Sequence, residues 1–238
     1  MPQSAGIAAM SAFSVMSETI SGSGEVGRPP SVYARIREDI IEGRISADSR
    51  LKVRDLAARY EVSTNPVREA LQQLRGEGFV VISPNRGASV RSIDEAFLHD
   101  TIEIELLIEP FLTKWFADVV TPADIAALTA IQDEIEDLNF SDFARNTQLD
   151  GRLHGLIYER HPNKRIFDLW RNHREILGAV TCRFPIAISR RAAVIEEHRA
   201  LIACLTAHDA AGVEAVMVRH VSGSGRHFMD QMRSYRAR

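Results

Sequence analysis

The chain has 238 residues, 45% of them hydrophobic and 26% charged. That composition offers enough apolar surface to offset ordering entropy and excludes a disordered protein. The length is read as two domains at about 100 to 200 residues each. No run approaches the about 20 apolar residues of a membrane helix, and no basic segment followed by an apolar core opens the chain, so a cytoplasmic protein with no membrane partner is expected. Cys182 and Cys204 form no CxxC pair and are read as buried apolar side chains. The net charge of -3 conceals an asymmetry: residues 28–91 carry 12 Lys/Arg against 8 Asp/Glu, and residues 92–238 carry 17 against 22. A basic N-terminal module on an acidic body suggests a polyanionic partner for the former.

In chain order, residues 1–30 are rich in Ser, Gly and Pro, lack a sustained helical period and read as a flexible tail. From Ser31, a candidate cap, Val32, Ile36, Ile40 and Ile41 recur at helical spacing up to Gly43. A short helix follows over Val53 to Tyr60. A third opens after Ser63, whose hydroxyl is expected to cap it. Pro66 falls in its first turn, where a missing N–H is harmless, and Val67, Ala70, Leu71 and Leu74 share one face. Phe79–Ser83 and Ala88–Arg91 flank Pro84-Asn85-Arg86-Gly87 and read as a β-hairpin with a basic tip. The rest reads as helices over about 94–118, 122–138, 141–160, 163–184, 189–207 and 209–233. Connections this short imply antiparallel neighbours. The fold class is therefore mainly α: a winged helix-turn-helix over 31–92, then an all-α antiparallel bundle over 93–238.

In a winged helix-turn-helix the third helix enters the major groove with its N-terminal residues on base edges, and the wing reaches backbone or minor groove. Ser63, Thr64, Asn65, Pro66 and Arg68 form that first turn. Asn suits adenine, Arg suits guanine, and hydroxyls suit phosphate. Arg54 opens the preceding helix, while Arg86 and Gly87 form the wing tip. Together they make a candidate DNA-binding set. The run from Leu51 to Val80, with Pro-Val-Arg-Glu-Ala-Leu at 66–71 and the Arg86-Gly87 wing, resembles the GntR family of bacterial transcription regulators. Two departures are visible: Thr64 stands where family members commonly have Arg, and Val53 where an acidic residue is common, so an operator sequence does not carry over.

In the second half, Asp150 and His154 are four residues apart on a helix and leave the same face. His198 lies ten residues before His208, and His220 eleven after Asp209, so the two reach one height in an antiparallel hairpin. Three imidazoles and a carboxylate suit a divalent ion, Zn²⁺ first, with Ni²⁺, Mn²⁺ or Fe²⁺ as alternatives. His99 and His173 could line a cavity, His161 and His208 read as turn residues, and His227 as part of a frayed tail. Trp115 and Trp170 read as core.

Asp-x-x-x-His at 150–154, Glu197-His198 and Arg219-His220-Val221 resemble the metal-site pattern of the FCD domain, the ligand-binding half of the FadR-like branch of GntR regulators. The resemblance implies a helical bundle that holds a divalent metal and a small carboxylate-type effector and makes a homodimer. It implies a regulator, a repressor rather than an enzyme, which reads a pseudo-palindromic double-stranded operator and answers an organic acid. Where the family commonly has Arg to hold the effector carboxylate, four residues before Glu109, this chain has Glu105. Either another cation, Arg183 or Arg191, supplies the charge, or the effector is not a simple organic acid. Two other readings stand beside this one: a metal-dependent enzyme acting on a small acid or ester, since an open metal position can activate water, and a regulator with a purely structural metal.

Overall fold

The computed structural model describes residues 30–84, 86–92, 94–181 and 186–236. The expected tail, apart from Pro30, lies outside them, as does Arg183. The elements in chain order are α1 (Val32–Ile41), β1 (Arg50–Leu51), α2 (Val53–Tyr60), α3 (Thr64–Gly76), β2 (Val80–Ser83), β3 (Gly87–Val90), α4 (Glu95–Val119), α5 (Pro122–Leu138), α6 (Phe143–Tyr158), α7 (Lys164–Thr181), α8 (Ile188–Thr206) and α9 (Ala210–Arg236). They divide into two compact units, one ending at residue 93 and including 175–180, the other built from the remainder.

In the first unit Ser31 caps α1, its Oγ accepting from the Ala34 amide at 3.2 Å. Ile36, Leu56, Val67, Leu71, Leu74 and Val80 are buried, the apolar stripes of three helices closing on the sheet. Buried Asp39 ties α1 to α2 by accepting from Arg44 and Arg59 at 2.5 Å and from the Tyr60 hydroxyl at 2.6 Å. The hairpin forms as expected, Ser83 opposite Gly87, with Gly87 at φ +75° where a side chain would be strained. A third strand joins it: β1 pairs antiparallel with β3, giving the order β1-β3-β2. Two residues carry no periodicity, so β1 exists only through its partner.

The second unit is a helical bundle. α9 runs against α4 and α8, and α5 against α6 and α8. Its core joins Leu112 and Phe116 of α4, Leu128 and Ile135 of α5, Leu149 and Leu153 of α6, Leu201 and Leu205 of α8, and Val213 and Met217 of α9. Thr121 and Asp124 form a reciprocal capping box that starts α5, and Asp142 caps α6 through the Arg145 amide at 3.0 Å. α9 approaches α4 closely at Gly225, where a Cβ would stand 2.8 Å from Ile102 Cδ1. It continues past His227 to Arg236, so His227 belongs to a helix and not to a frayed end.

Candidate functional sites

α3 presents Ser63, Asn65 and Arg68 to solvent, with Thr64 and Pro66 half-buried and Val67 and Ala70 turned into the core. Ser63 occupies the N-cap position with extended backbone but makes no side-chain cap bond, which corrects the expected capping role and leaves its hydroxyl available. Arg54, Arg86 and Gly87 are exposed as well. Among the described residues, no ion pair engages Arg54, Arg68 or Arg86. A first helical turn that offers hydroxyl, amide and guanidinium groups uncommitted to the fold is what base-edge and phosphate contacts require.

In the bundle, α6 supplies Asp150 and His154, α8 His198 and α9 His220. One ligand atom from each lies within 4.8 Å of all the others. Asp150 Oδ1 is 3.8 Å from His154 Nε2 and 3.6 Å from His198 Nε2. Ligands on one tetrahedral ion with bonds of about 2.1 Å stand about 3.4 Å apart, so small side-chain movements suffice.

The hydrogen-bond pattern fixes which nitrogen each imidazole offers. Gln132 Nε2 donates to Glu136 at 2.9 Å, which turns its Oε1 toward His198 Nδ1, also at 2.9 Å. Glu197 Oε2 lies 2.9 Å from His220 Nδ1. The Tyr158 hydroxyl donates to Glu109 Oε2 at 2.9 Å and is left to accept from His154 Nδ1 at 3.1 Å. All three rings therefore carry the proton on Nδ1 and keep the Nε2 lone pair free. Nε2 of His154 and of His198 is buried without any hydrogen-bond partner. Orphaned buried lone pairs are rare, and here they face a carboxylate. Burial depresses the pKa of all three histidines, most strongly that of His198, where the neighbouring imidazoles add to it. Neutral imidazoles are the form that binds a metal.

The groups around the cluster are themselves held. Glu109 also accepts from the Trp170 indole at 3.1 Å. Arg190 makes a two-pronged pair with Glu197, at 2.9 and 2.8 Å, and donates to the His220 carbonyl and Ser224 hydroxyl at 2.9 Å. Burial raises the Glu197 pKa, but the bonds from His220 and Arg190 outweigh it and pull the group down to about 2. Gly223 makes this possible, because a Cβ there would stand 2.5 Å from the Arg190 guanidinium. Arg174 pairs with Asp150 through Oδ2, on the other side of the carboxylate from the imidazoles.

Sequence patterning missed Gln132, Tyr158, Arg174 and Arg190. A lone Gln among the apolar positions of α5 was the one available signal. Arg191 donates to the Ile186 carbonyl at 2.9 Å and lies over the Phe140 ring. His161 is a buried turn residue against Trp115 and Phe111, His208 is bound to the Ala117 carbonyl at 2.7 Å, and His99 is exposed beside Glu103. Trp170 is core, as expected, yet it also serves Glu109.

Comparison with known proteins matches residues 30–90 to "Bacterial regulatory proteins, gntR family" and residues 100–223 to "FCD domain". The HTH-type transcriptional repressor GlaR of Escherichia coli K12 is 27% identical over 202 residues, covering 79% of this chain and 90% of that protein. The repressor RspR of the same organism is 25% identical over 194 residues, covering 80% and 84%. Among solved structures, E. coli McbR/YncC aligns with a TM-score of 0.68 at 19% identity, over 84% of this chain and 96% of that one. A GntR-type protein from Rhodococcus sp. RHA1 aligns at 0.66 and 20%, over 84% and 96%. With a winged helix-turn-helix followed by a helical bundle that both profiles recognise, the chain belongs to the GntR family of bacterial transcription regulators and carries an FCD domain.

Proposed function

We propose that the protein is a cytoplasmic, homodimeric, ligand-responsive repressor that reads a pseudo-palindromic operator through α3 and the wing. Its FCD domain holds a divalent metal at Asp150, His154, His198 and His220, with Zn²⁺ as the first candidate, and binds a small carboxylate-containing metabolite. The observation that carries the metal reading is the convergence of Nε2 lone pairs on Asp150, each ring held by a bond at Nδ1. Such an ion would supply a positive centre for an anionic effector group. The chain's own residues keep the imidazoles neutral and oriented.

The carboxylates bordering the cluster serve positioning rather than proton transfer, since Glu109 accepts from Tyr158 and Trp170 and Glu197 from Arg190 and His220. That supports a regulator over a metalloenzyme. An exposed apolar row on α4, Ile104, Leu107 and Phe111, supports self-association, because Leu107 is 77% exposed and the three share one helix face. Two-fold pairing would double the site that one winged helix reads.

Elemental analysis of the purified protein, together with selection of duplexes from a random pool, tests the whole reading. About one divalent ion per chain and an enriched inverted repeat are expected. Failure to retain metal after dialysis against zinc would remove the metal site, and failure to enrich any sequence would remove the operator role.

Two variants test finer points. Arg86→Ala is expected to lower affinity similarly for all sequences and to reduce the salt slope by about one phosphate's worth, as read by anisotropy titrations across salt. An unaltered slope takes the wing out of the interface. Tyr158→Phe removes the acceptor for His154 Nδ1 and is expected to weaken metal binding by about 10- to 100-fold in competition with a chromogenic chelator. Unchanged affinity would mean that Tyr158 does not orient His154.

A further inference from the structure

The four-residue cluster has one open side. The side chains of His154 and His198 are 1% exposed and that of His220 is 7% exposed, whereas Asp150 is 24% exposed and Arg174, bonded to it, 28%. A ligand that reaches an ion held by these residues therefore comes in past Asp150 and Arg174. α7 sets the guanidinium there. Trp170 is buried and donates its indole N–H to Glu109 Oε1 at 3.1 Å, and Arg174 follows one turn later on the same helix face.

Arg174 donates to Asp150 Oδ2, and that pairing acts on an ion in two ways. An oxygen taken by a guanidinium is not free to chelate, so Asp150 offers Oδ1 alone, 3.8 Å from His154 Nε2 and 3.6 Å from His198 Nε2. Each residue then supplies a single bond, and Zn²⁺ can still take a fifth ligand. A guanidinium held one carboxylate away from a dication is also repelled by it, and an anion placed between the two relieves that repulsion. The rest of the Arg174 fork is uncommitted: among the described residues, no other hydrogen bond or ion pair engages it. Arg190 is engaged by Glu197, the His220 carbonyl and Ser224, and Arg191 by the Ile186 carbonyl. Glu105, which feels the Arg174 charge, is raised to about 8 by burial and then by Glu109, so at neutral pH it is largely protonated and sets little negative charge against an anion.

We propose that Arg174 is the specificity-determining residue that receives the effector's carboxylate, with one carboxylate oxygen on the ion and the other on the guanidinium. This rests on the metal and effector reading given above and deepens it, because it assigns the anion-selecting charge to α7. The ligand then lies alongside Asp150 and repeats the bridge that Asp150 itself makes between the cluster and Arg174.

The test uses the full chain at saturating zinc, its metal content verified by elemental analysis, and calorimetric titration at neutral pH. The probes are acetate and succinate, with acetamide as the uncharged counterpart of acetate. The native chain is expected to bind both carboxylates, and acetamide about tenfold or more weakly than acetate. In Arg174→Gln, carboxylate binding should fall by about tenfold or more at equal zinc content, as a charge-assisted hydrogen bond is lost. Arg174→Lys, which restores the charge without the fork, should recover part of that loss. Carboxylate binding as tight in Arg174→Gln as in the native chain overturns the proposal and leaves the metal and effector reading standing. A Lys variant no better than the Gln variant overturns it as well, since the loss would then come from a displaced Asp150 and not from a missing cation. A zinc-loaded native chain that binds neither carboxylate at millimolar concentration removes the effector reading and this proposal together. A native chain that holds no zinc removes the metal reading and this proposal before any ligand is added.

Discussion

His198→Ala is expected to lower metal affinity by more than about 100-fold and to abolish the thermal stabilisation that added zinc gives the native chain. The first part follows from the environment of the ring. His198 is 1% exposed, its Nδ1 is held by Gln132, and its Nε2 faces Asp150 Oδ1 at 3.6 Å. Losing a ligand should cost more than the about 10- to 100-fold typical of losing a group behind one. The second part follows from linkage: an ion bound only by the folded chain adds about 4 kcal/mol at a concentration 1,000 times its dissociation constant. The comparison with and without zinc matters, because removing a buried ring also leaves a cavity that lowers stability without metal. His208→Ala is the proper control, its ring being exposed, bonded to the Ala117 carbonyl and, among the described residues, in no group of side chains placed to share an ion. His161 would not serve, since it is buried against Trp115 and Phe111. Equal zinc response in the His198 and His208 variants would mean that the four residues do not share an ion.

The same cluster sets the direction of the pH response. Burial holds the folded-state pKa of His154, His198 and His220 below the ordinary value of about 6.5. Between those depressed values and about 6.5 the unfolded chain binds more protons than the folded one, so stability is full above that window and falls as the pH drops through it. Protons also compete with metal for the same Nε2 atoms, so the zinc-dependent increment should vanish toward acid. Thermal melts from pH 7.5 down to 5, with and without zinc, are expected to converge at the acid end, given ligand histidines that start near about 6.5. A zinc increment undiminished at the acid end would assign the ion to ligands other than histidine.

Some helix limits were legible from the side chain that marks them. Ser31 and Thr121 with Asp124 sit at real N-caps where the first helix and the Thr121-Pro122 break were read, while Asp142, which also caps, lies past the break read at Asn139. Ser63 shows the limit of that logic: the residue type and position match a cap, but the hydroxyl makes no such bond, since capping is one use of a hydroxyl among several. β1 was invisible for a different reason, because two residues cannot show an alternation and the strand is defined by Ser89 and Ala88 opposite it. The four candidate ligands could be aligned from spacing alone, as helix period and hairpin symmetry are local rules. What holds them could not. Gln132 meets His198 across 66 positions, and Glu109 meets Trp170 across 61, pairings that depend on how helices pack rather than on any pattern along one of them. Glu105 was legible as a departure from the family pattern, yet only burial and an unpartnered oxygen give that departure a physical meaning.

Arg68→Ala is expected to weaken operator binding by about 1 to 3 kcal/mol, about 5- to 150-fold, with no loss of thermal stability. Stability should be spared because the side chain is exposed and, among the described residues, makes no ion pair that the fold would lose. Its neighbours Val67 and Ala70 point the other way, 0% and 2% exposed, which fixes the Arg68 face of α3 outward regardless of what binds there. A guanidinium on that face can bond guanine in two places, so the loss should concentrate at one base-pair position and specificity there should relax. The Arg86 variant should behave differently, since phosphate contacts carry no sequence information. Titrating Arg68→Ala against operators permuted one base pair at a time separates the two roles. A loss confined to one position marks Arg68 as a base reader. A uniform loss with a shallower salt slope would make it a phosphate contact, and unchanged affinity throughout would move the reading surface elsewhere on α3, toward Ser63 and Asn65, whose side chains are also exposed.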